Sequence, residues 1–346
     1  MDYAPPKEAV IDALALAFGC KIANPHSMAN SVERPLEKLA LDSQASSPGG
    51  FIGGNGGIKS LVSNGLKTAE FSGEIAKLMQ LAANSVFASA ATHRAYCSIA
   101  KIDNFKPVEI DADIDAGLDS LSGRVMDAEE IKMVWASGNQ AEAGQISTWA
   151  RIFSFGRQLI INNDVSYLAR IAKRIGSSSA GIEAKQVADA LEATQTLADG
   201  KPAFGSSEGN EVTCQSLFIE SSLALAIGTL RSQEVAPGIA ANAAAKFLLV
   251  SPMNEVGAKH AVKEFGLSEE ITVSALAGIP DDRFYVLADP EQFPTISILN
   301  FETDQAPFLI EQKKAPIEYD GTQVKARLDT GAVLTSRLGI VRCKTQ

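Results

Sequence analysis

The chain has 346 residues, and its 31 basic and 41 acidic side chains give a formal net charge of −10. Hydrophobic residues make up 46% and charged residues 21%, which is typical of a folded globular protein and excludes a disordered chain. The acidic balance argues against a surface built to neutralise duplex phosphates, and no apolar run of about 18 residues predicts a membrane-spanning helix. The length predicts two or three lobes, each with its own core.

The spacing of cysteines and histidines predicts neither a metal site nor a disulfide framework. No CxxC or CxH pair occurs, so we expect buried, reduced thiols and a cytosolic folding environment. The N-terminus lacks the positive flank of a secretory signal. The isolated residues are Cys20, Cys97, Cys214, Cys343, His26, His93 and His260.

The N-terminal segment predicts two short helices on a flexible tether. Val10, Leu14 and Phe18 follow Pro5-Pro6 at helical spacing, with Gly19 as a stop, and a second helix begins at Pro35. Residues 46–57 are rich in glycine and serine and cannot hold a regular element. We therefore expect residues 1–60 to form no core alone and residues 1–45 to be dispensable for the stability of the rest.

The next segment predicts a helix followed by an extended hairpin. Phe71 to Val86 form a helical stripe that ends before the turn at 103–107. Residues 108–145 are acidic, glycine-rich and without helical period, and they return through 146–161, which is rich in β-branched and aromatic residues. Such an arm buries little surface by itself, so it must be mobile or lie on something else.

A long helix is predicted next. Asn163-Asp164 can cap it, and an apolar stripe from Val165 continues past Gly176 and Gly181 to Ala198. Each interior glycine weakens a helix by about 1 kcal/mol. We therefore expect one long, locally weakened helix that ends at the turn 199–202.

Residues 203–301 alternate between helices and strands and predict an α/β lobe. We expect helices through 219–230 and from Asn254, and strands at 247–250, 284–287 and 295–301. A hairpin with an Asp320-Gly321 turn and a last strand at Ile340-Val341 follow.

Residues 205–209 (GSSEG) match the G-x-S-x-G motif, in which a serine attacks esters or amides. That chemistry needs a sharp strand-to-helix turn that lifts the serine toward a histidine. Here the motif follows a Gly/Pro loop, so we interpret Ser207 as belonging to a surface turn rather than as a nucleophile.

Two ligand-binding patterns are incomplete. Residues 53–60 (GGNGGIKS) resemble a Walker loop, but Ile58 separates the last glycine from Lys59 and no apolar strand precedes them. The Asp111-x-Asp113-x-Asp115 pattern begins a calcium loop, but its glycine is one place late and its twelfth position is serine. We expect a tether and a solvated acidic strand.

The order of short segments along the whole chain is more specific than any motif. Seven stretches carry it: 19–26, 103–107, 153–164, 197–200, 247–252, 287–290 and 324–331. Together they resemble the major capsid proteins of tailed bacteriophages, specifically the Mu-like head-subunit group and its versions fused to a ClpP-like prohead protease. The chain departs from that pattern at Asn163-Asp164, where family members often carry two acids, and near 205–210, where they often carry a histidine.

The resemblance implies an α+β, HK97-like major capsid fold with an N-arm, an extended β-hairpin (E-loop), a peripheral domain with a long spine helix, and an axial domain. The N-arm would be residues 1–60 and the extension loop residues 107–156, with the axial domain at 203–301. The peripheral domain would be built from three segments: 61–106, then 157–202 with the spine helix at 164–198, and the C-terminal strands at 302–346.

The resemblance also implies a non-enzymatic function without cofactors, metals or catalytic residues. The subunit would self-assemble as hexamers and pentamers into an icosahedral virion head, formed in the host cytoplasm, around double-stranded DNA that it does not read. Neither a protease nor a scaffold segment precedes Met1, so we expect those functions from separate chains or a processed precursor, besides a portal and, as an open point, decoration proteins. An encapsulin-like nanocompartment and a serine hydrolase using Ser207 are the alternatives.

Overall fold

The structure is a computed structural model that describes residues 5–45, 69–111, 141–193, 196–197, 199–236, 238–302, 308–313 and 321–345. Within these ranges helices and strands are mixed along the chain, which confirms the α+β class. The helices are α1 (Lys7–Ala17), α2 (Pro35–Ala45), α3 (Ala69–Ala90), α4 (Arg157–Ile161), α5 (Val165–Glu192), α6 (Glu220–Ser232) and α7 (Glu255–Glu264).

The strands pair into two five-stranded sheets, in the orders β1-β11-β13-β12, with β4 beside β13, and β5-β14-β10-β8-β9, and into two smaller ribbons, β2-β3 and β6-β7. They are β1 (Ser98–Ile102), β2 (Val108–Asp111), β3 (Ala141–Gly144), β4 (Ser147–Gly156), β5 (Glu211–Cys214), β6 (Glu234–Ala236), β7 (Ile239–Ala240), β8 (Phe247–Val250), β9 (Thr272–Ala275), β10 (Arg283–Leu287), β11 (Ile296–Phe301), β12 (Phe308–Lys313), β13 (Gly321–Leu334) and β14 (Ile340–Thr345).

The chain divides into two compact units. The first unit contains Met1–Ala91, Thr148–Gly181 and Asp304–Asp329, and the second contains Thr92–Ser147, Ile182–Thr303 and Thr330–Gln346. Because α5 and β13 each continue from one unit into the other, each contributes residues to both.

The N-terminal helices belong to the core of the first unit. Val10, Leu14 and Phe18 are fully buried, and α1 contacts both α2 and α3. The expectation that residues 1–45 are dispensable for stability is therefore wrong, because the apolar stripe of α1 is covered by the same chain. The tether at 46–57 lies outside the described residues.

Two backbone positions hold α2 against the start of α5. Arg34 and Asn163 both have positive φ, +49° and +54°, which is uncommon for residues other than glycine. Arg34 Nη2 donates to the carbonyl of Ile161 at 2.6 Å, and the Leu36 N–H donates to Asn163 Oδ1 at 2.9 Å. The side chain of Asn163 thus satisfies a free amide at the start of α2.

Helix α5 confirms the prediction of one long helix, with 28 residues. Asp164 caps it, because its Oδ1 accepts the N–H of Tyr167 at 3.0 Å. The predicted continuation to Ala198 is wrong, since α5 ends at Glu192. Leu197 lies in a turn, where its own N–H donates to the carbonyl of Lys201. Thr194 and Ala198 lie outside the described residues.

The strand predicted for 146–161 is only half right. Strand β4 ends at Gly156, and residues 157–161 form the short helix α4. In the first unit β13 pairs antiparallel with β12, from Phe308↔Leu328 to Lys313↔Gln323. Sequence analysis missed β12, and the predicted turn at Asp320 lies outside the described residues.

The second unit is built on the mixed sheet β5-β14-β10-β8-β9, which is buried on both faces. Phe247 and Leu249 of β8 pack into one apolar cluster with α5, whereas Leu248 and Val250 pack into another with α6 and α7. Because successive side chains point to opposite faces, a strand covered on both sides reads as an uninterrupted apolar run. The predicted elements at 247–250, 284–287 and 340–341 are all found in this sheet.

We expect Leu14→Ala to lower the free energy of unfolding by about 2–5 kcal/mol, because it opens a cavity in the core of the first unit. Leu81→Ala on α3, where the side chain is 55% exposed, is the matched control and should cost less than about 1 kcal/mol. Urea denaturation followed by circular dichroism measures both. Equal, small effects would contradict the placement of α1 in the core.

The two glycines of α5 should respond in opposite directions to alanine. A Cβ at Gly176 would lie 2.2 Å from the carbonyl oxygen of Ala83 on α3, whereas at Gly181 it meets nothing within 4 Å. Gly181→Ala should therefore stabilise by up to about 1 kcal/mol through helix propensity. Gly176→Ala should destabilise by about 1–3 kcal/mol through overpacking. Thermal unfolding separates them, and two stabilising substitutions would refute the close helix packing.

Candidate assembly surfaces

The predicted hairpin is present at its base. Strands β2 and β3 pair antiparallel from Val108↔Gly144 to Asp111↔Ala141. Residues 112–140, which include the middle of the extension loop and two of the three candidate calcium ligands, lie outside the described residues. The end of the paired base is therefore Asp111 and Ala141, side by side.

An apolar cluster anchors this base in the second unit. Ile102, Ile146, Leu299 and Val333 are buried together, and Ile110 of β2 packs against them. The hairpin base is thus fixed to the second unit by apolar packing.

Two glycines allow the backbone to pack closely at this anchor. A Cβ at Gly331 would lie 2.2 Å from the carbonyl oxygen of Gln145, and one at Gly144 would lie 2.7 Å from Leu299 Cδ1. Neither glycine has positive φ, so both are required for space rather than for backbone freedom. Gly331, at the end of the segment 324–331 that carries the resemblance, therefore has a packing function.

Strand β4 exposes apolar side chains on both of its faces. Eight of its ten residues are exposed, including Trp149 (42%) and Ile152 (45%). The strand is held to β13 by the Thr148 hydroxyl, which donates to the buried carboxylate of Asp329 at 2.6 Å. Large apolar side chains exposed on a fixed strand are typical of a protein–protein contact.

The second unit exposes Met253, in the turn before α7, and Val256, in the first turn of α7, at 80% and 79%. The nearby residue Phe218 has a φ of +56° and packs on Phe284, with ring centroids 5.5 Å apart. A positive φ is strained for an aromatic residue and persists only where the surroundings enforce it. Sequence analysis missed Met253 and Val256, although two apolar residues that flank the Asn-Glu start of a helix are a signal for exposure.

The strongest buried charge cluster of the second unit is structural. Glu183 of α5 is fully buried and accepts two hydrogen bonds from Arg94, from Nε at 2.6 Å and from Nη2 at 2.7 Å. His93 Nε2 lies 2.8 Å from the same carboxylate. Burial favours the neutral acid, but the hydrogen bonds from Arg94 and His93 outweigh it and lower the pKa of Glu183. The cluster joins α5 to the segment before β1.

Ser207 lies in a turn, as predicted. Its Oγ donates to Oε1 of the adjacent Glu208 at 3.2 Å, and no strand directly precedes the turn. The buried amide of Asn210 bonds to the carbonyl of Ala203 and the N–H of Gly205, which closes the loop on itself.

This turn lines a polar cleft of about 530 Å³ in the second unit. Arg337 forms a two-fold ion pair with Asp199, at 2.6 and 2.8 Å, and Lys201 pairs with Glu208 at 3.2 Å. The hydrogen bonds from Arg337 lower the pKa of Asp199. The cations of the cleft are thus already matched by acids of the same chain.

The remaining candidates give no site in the described residues. The Walker-like segment 53–60 lies outside them, and within them no group of three potential metal ligands comes together. All four cysteines are free thiols, with Cys97, Cys214 and Cys343 buried and Cys20 half-buried. No helix of the described ranges has the length and apolarity needed to cross a membrane.

A sequence model of a family described as phage capsid protein matches residues 140–343, from the base of the hairpin to the last strand. The chain belongs to this family. Its function is therefore that of a phage major capsid protein, its role is structural, and its place is the virion. No curated protein matches the chain significantly.

Several solved shell proteins are similar to the chain at low identity. A virus-like particle from Pyrococcus furiosus is 12% identical with a TM-score of 0.47, over 78% of this chain and 98% of the other. The capsid of a native GTA particle is 11% identical with a TM-score of 0.47, over 74% of this chain and 90% of the other. The holo-SrpI encapsulin complex from Synechococcus elongatus PCC 7942 is 6% identical with a TM-score of 0.45, over 72% of this chain and 84% of the other. The assignment of function rests on the family match.

Removing the Glu183 carboxylate should destabilise the second unit in a pH-dependent way. We expect Glu183→Gln to cost about 3–5 kcal/mol at neutral pH, because Arg94 then lacks its buried partner. The pKa of Glu183 is lowered by folding, so its contribution is present above the unfolded glutamate pKa of about 4.3 and is lost as pH falls through the folded-state pKa. The loss of unfolding free energy caused by Glu183→Gln should therefore be smaller at acidic pH than at neutral pH.

Asp189→Asn is the matched control, since Asp189 is an exposed acid on the same helix that pairs with Lys185. It should cost less than about 1 kcal/mol at any pH. Urea unfolding of the three proteins at neutral and acidic pH measures these differences. A cost at Glu183 that does not change with pH would disprove the charged state assigned to it.

Proposed function

We propose that the subunit assembles as hexamers and pentamers into an icosahedral head around double-stranded DNA, and that its hairpin and exposed apolar strand make the contacts between copies. The observation that carries this proposal is the anchored hairpin base, whose second strand, β3, lies at the start of the family match. Apolar side chains that stay exposed in the single chain become buried when another copy of the chain packs against them.

The proposed lobes keep the boundaries expected from the resemblance. Residues 107–156 are the extension loop and 203–301 the axial domain. The peripheral domain consists of 61–106, of 157–202 with the spine region at 164–198, and of 302–346. Residues 1–60 keep the name N-arm, although α1 and α2 pack within the first unit. The packing of α1 and α2 within the first unit is that of a single chain, outside any shell.

Three features support copy-to-copy contact: the anchored hairpin base, the exposed Trp149 and Ile152 of β4, and the exposed Met253 and Val256. None of them needs to bind strongly. In a closed shell each subunit is held by several contacts at once, so loss of the subunit requires breaking all of them together.

The proposal includes partners beyond the subunit itself. Scaffold, protease and portal proteins come from separate chains or a processed precursor, and assembly takes place in the host cytoplasm. The DNA is enclosed without being read, because the net charge of −10 disfavours extended contact with phosphates. No catalytic residue is involved.

Truncation of the hairpin at its paired base tests this function. Asp111 and Ala141 are direct partners, so an Asn-Gly turn can replace residues 112–140 without changing the register of β2 and β3. We expect a folded subunit with an unchanged thermal midpoint that forms no closed particles. Negative-stain electron microscopy and analytical ultracentrifugation measure assembly, with the full chain as the reference.

A control variant separates the hairpin from the exposed side chains of β4. Trp149→Ser and Ile152→Ser together remove apolar area but leave the hairpin intact, and they should weaken assembly without abolishing it. Normal particles from the truncated chain would rule out the role of the hairpin. Particles that carry protein cargo and no nucleic acid would favour a nanocompartment over a phage head.

A further inference from the structure

The outer face of α5 in the first unit is strongly basic although the chain is acidic. Residues 165–181 contain three cations and no acid. Arg170, Lys173 and Arg174 are all exposed, and their spacing of three and four residues puts them on one side of the helix. We call this the α5 basic face.

Several surface cations elsewhere in the described residues differ from these because an acid is near. Lys185 pairs with Asp189, Lys259 with Glu255, and Lys325 with Glu311. By contrast, no ion pair is found for the three cations of the α5 basic face within the ranges that the structure describes. Their charge is therefore available to a partner.

Neighbouring groups extend the same character. Lys173 Nζ lies next to Gly19, 3.1 Å from where a Cβ would be, and the exposed Lys21 follows two residues later. The guanidinium of Arg170 lies 5.8 Å from the ring centre of the exposed Tyr167. The face thus presents ammonium, guanidinium and aromatic groups, with no carboxylate from the helix segment 165–181 among them.

Resting on the proposed function, we propose that the α5 basic face binds the phosphate backbone of duplex nucleic acid, so that the shell touches the DNA it encloses at defined points. Guanidinium and ammonium groups one helical turn apart match a row of phosphates, and such contacts carry no sequence information. The net charge of −10 keeps each contact weak, as a removable genome requires.

A duplex fits this face better than an acidic protein does. The cations form a strip along one helix, and the exposed Ser178 continues it with a hydroxyl group that can donate to phosphate. A protein partner would in addition need an apolar contact at the centre, and the face offers only Tyr167 for that purpose among the described residues.

Fluorescence anisotropy with a labelled 30-base-pair duplex of random sequence tests the proposal. The full chain is kept below the concentration at which particles form. Arg170→Gln with Arg174→Gln removes two phosphate contacts. The negative slope of the logarithm of the association constant against the logarithm of the salt concentration should therefore become shallower by about 1.8. If the two proteins bind equally at 1 M salt, this change in slope makes the variant about 200-fold weaker at about 50 mM salt.

Lys185→Gln with Lys259→Gln is the matched control, because it removes two exposed cations and the same net charge from paired positions. It should leave the slope and the affinity within about twofold of the full chain. Equal losses in both variants would overturn the proposal, since only net charge would then matter. The absence of binding by the full chain at about 50 mM salt would overturn it too.

Competition and assembly distinguish the other outcomes. Unlabelled duplex should displace the probe at much lower concentration than poly-glutamate, and equal displacement would assign the face to an acidic protein and overturn the proposal.

Electron microscopy of the Arg170/Arg174 variant tests assembly separately. Normal empty particles together with lost duplex binding support both proposals. Loss of particles with duplex binding retained would assign the face to contacts between copies and overturn the proposal of duplex binding.

Discussion

The two cores of the molecule depend on a single continuous helix. Leu168 and Ala172 of α5 are buried in the first unit, and Val187 and Leu191 are buried in the second, so one rod of 28 residues supplies both. Such a helix must satisfy different neighbours along its length. It does so with a glycine where α3 comes close, at Gly176, and with a buried, fully hydrogen-bonded carboxylate at Glu183. Close packing and paired charge thus replace a uniform apolar stripe.

Sequence patterns predict the elements of this fold well wherever one helix or strand carries its own signal. The capping Asp164, the stripe of α5 and the apolar runs of β8 and β10 are local features, and local physics decides them. What covers an element is not local. The stripe of α1 looks the same whether a neighbouring copy or α3 buries it, which is why the sequence suggests independence for residues 1–45 and the structure does not show it.

The candidate surfaces show the same limit. Gly176 and Gly181 have equal helix propensity, and only the position of α3 separates a required glycine from a tolerated one. The alternation of Phe308 and Ile310 is a strand signal for β12, but it is short and weaker than the Asp320-Gly321 turn signal that follows it. Exposure of Met253 and of Trp149 depends on which side chains the rest of each unit leaves uncovered. The hydrophobic periodicity of the sequence does not contain that information.

Charge is distributed in this chain as its proposed function requires. Acids are matched to cations around the cleft at Arg337 and Asp199, and Glu183 is matched inside the second unit, so these charges act within the subunit. The α5 basic face differs from these sites, since its three cations form no ion pair within the described residues and the helix segment 165–181 contains no acid. A container with a uniformly attractive inner surface would hold its DNA too strongly to release it, and a uniformly repulsive one would resist filling. Isolated basic strips on an acidic subunit avoid both, because each contact is weak, screened by salt and repeated by every copy.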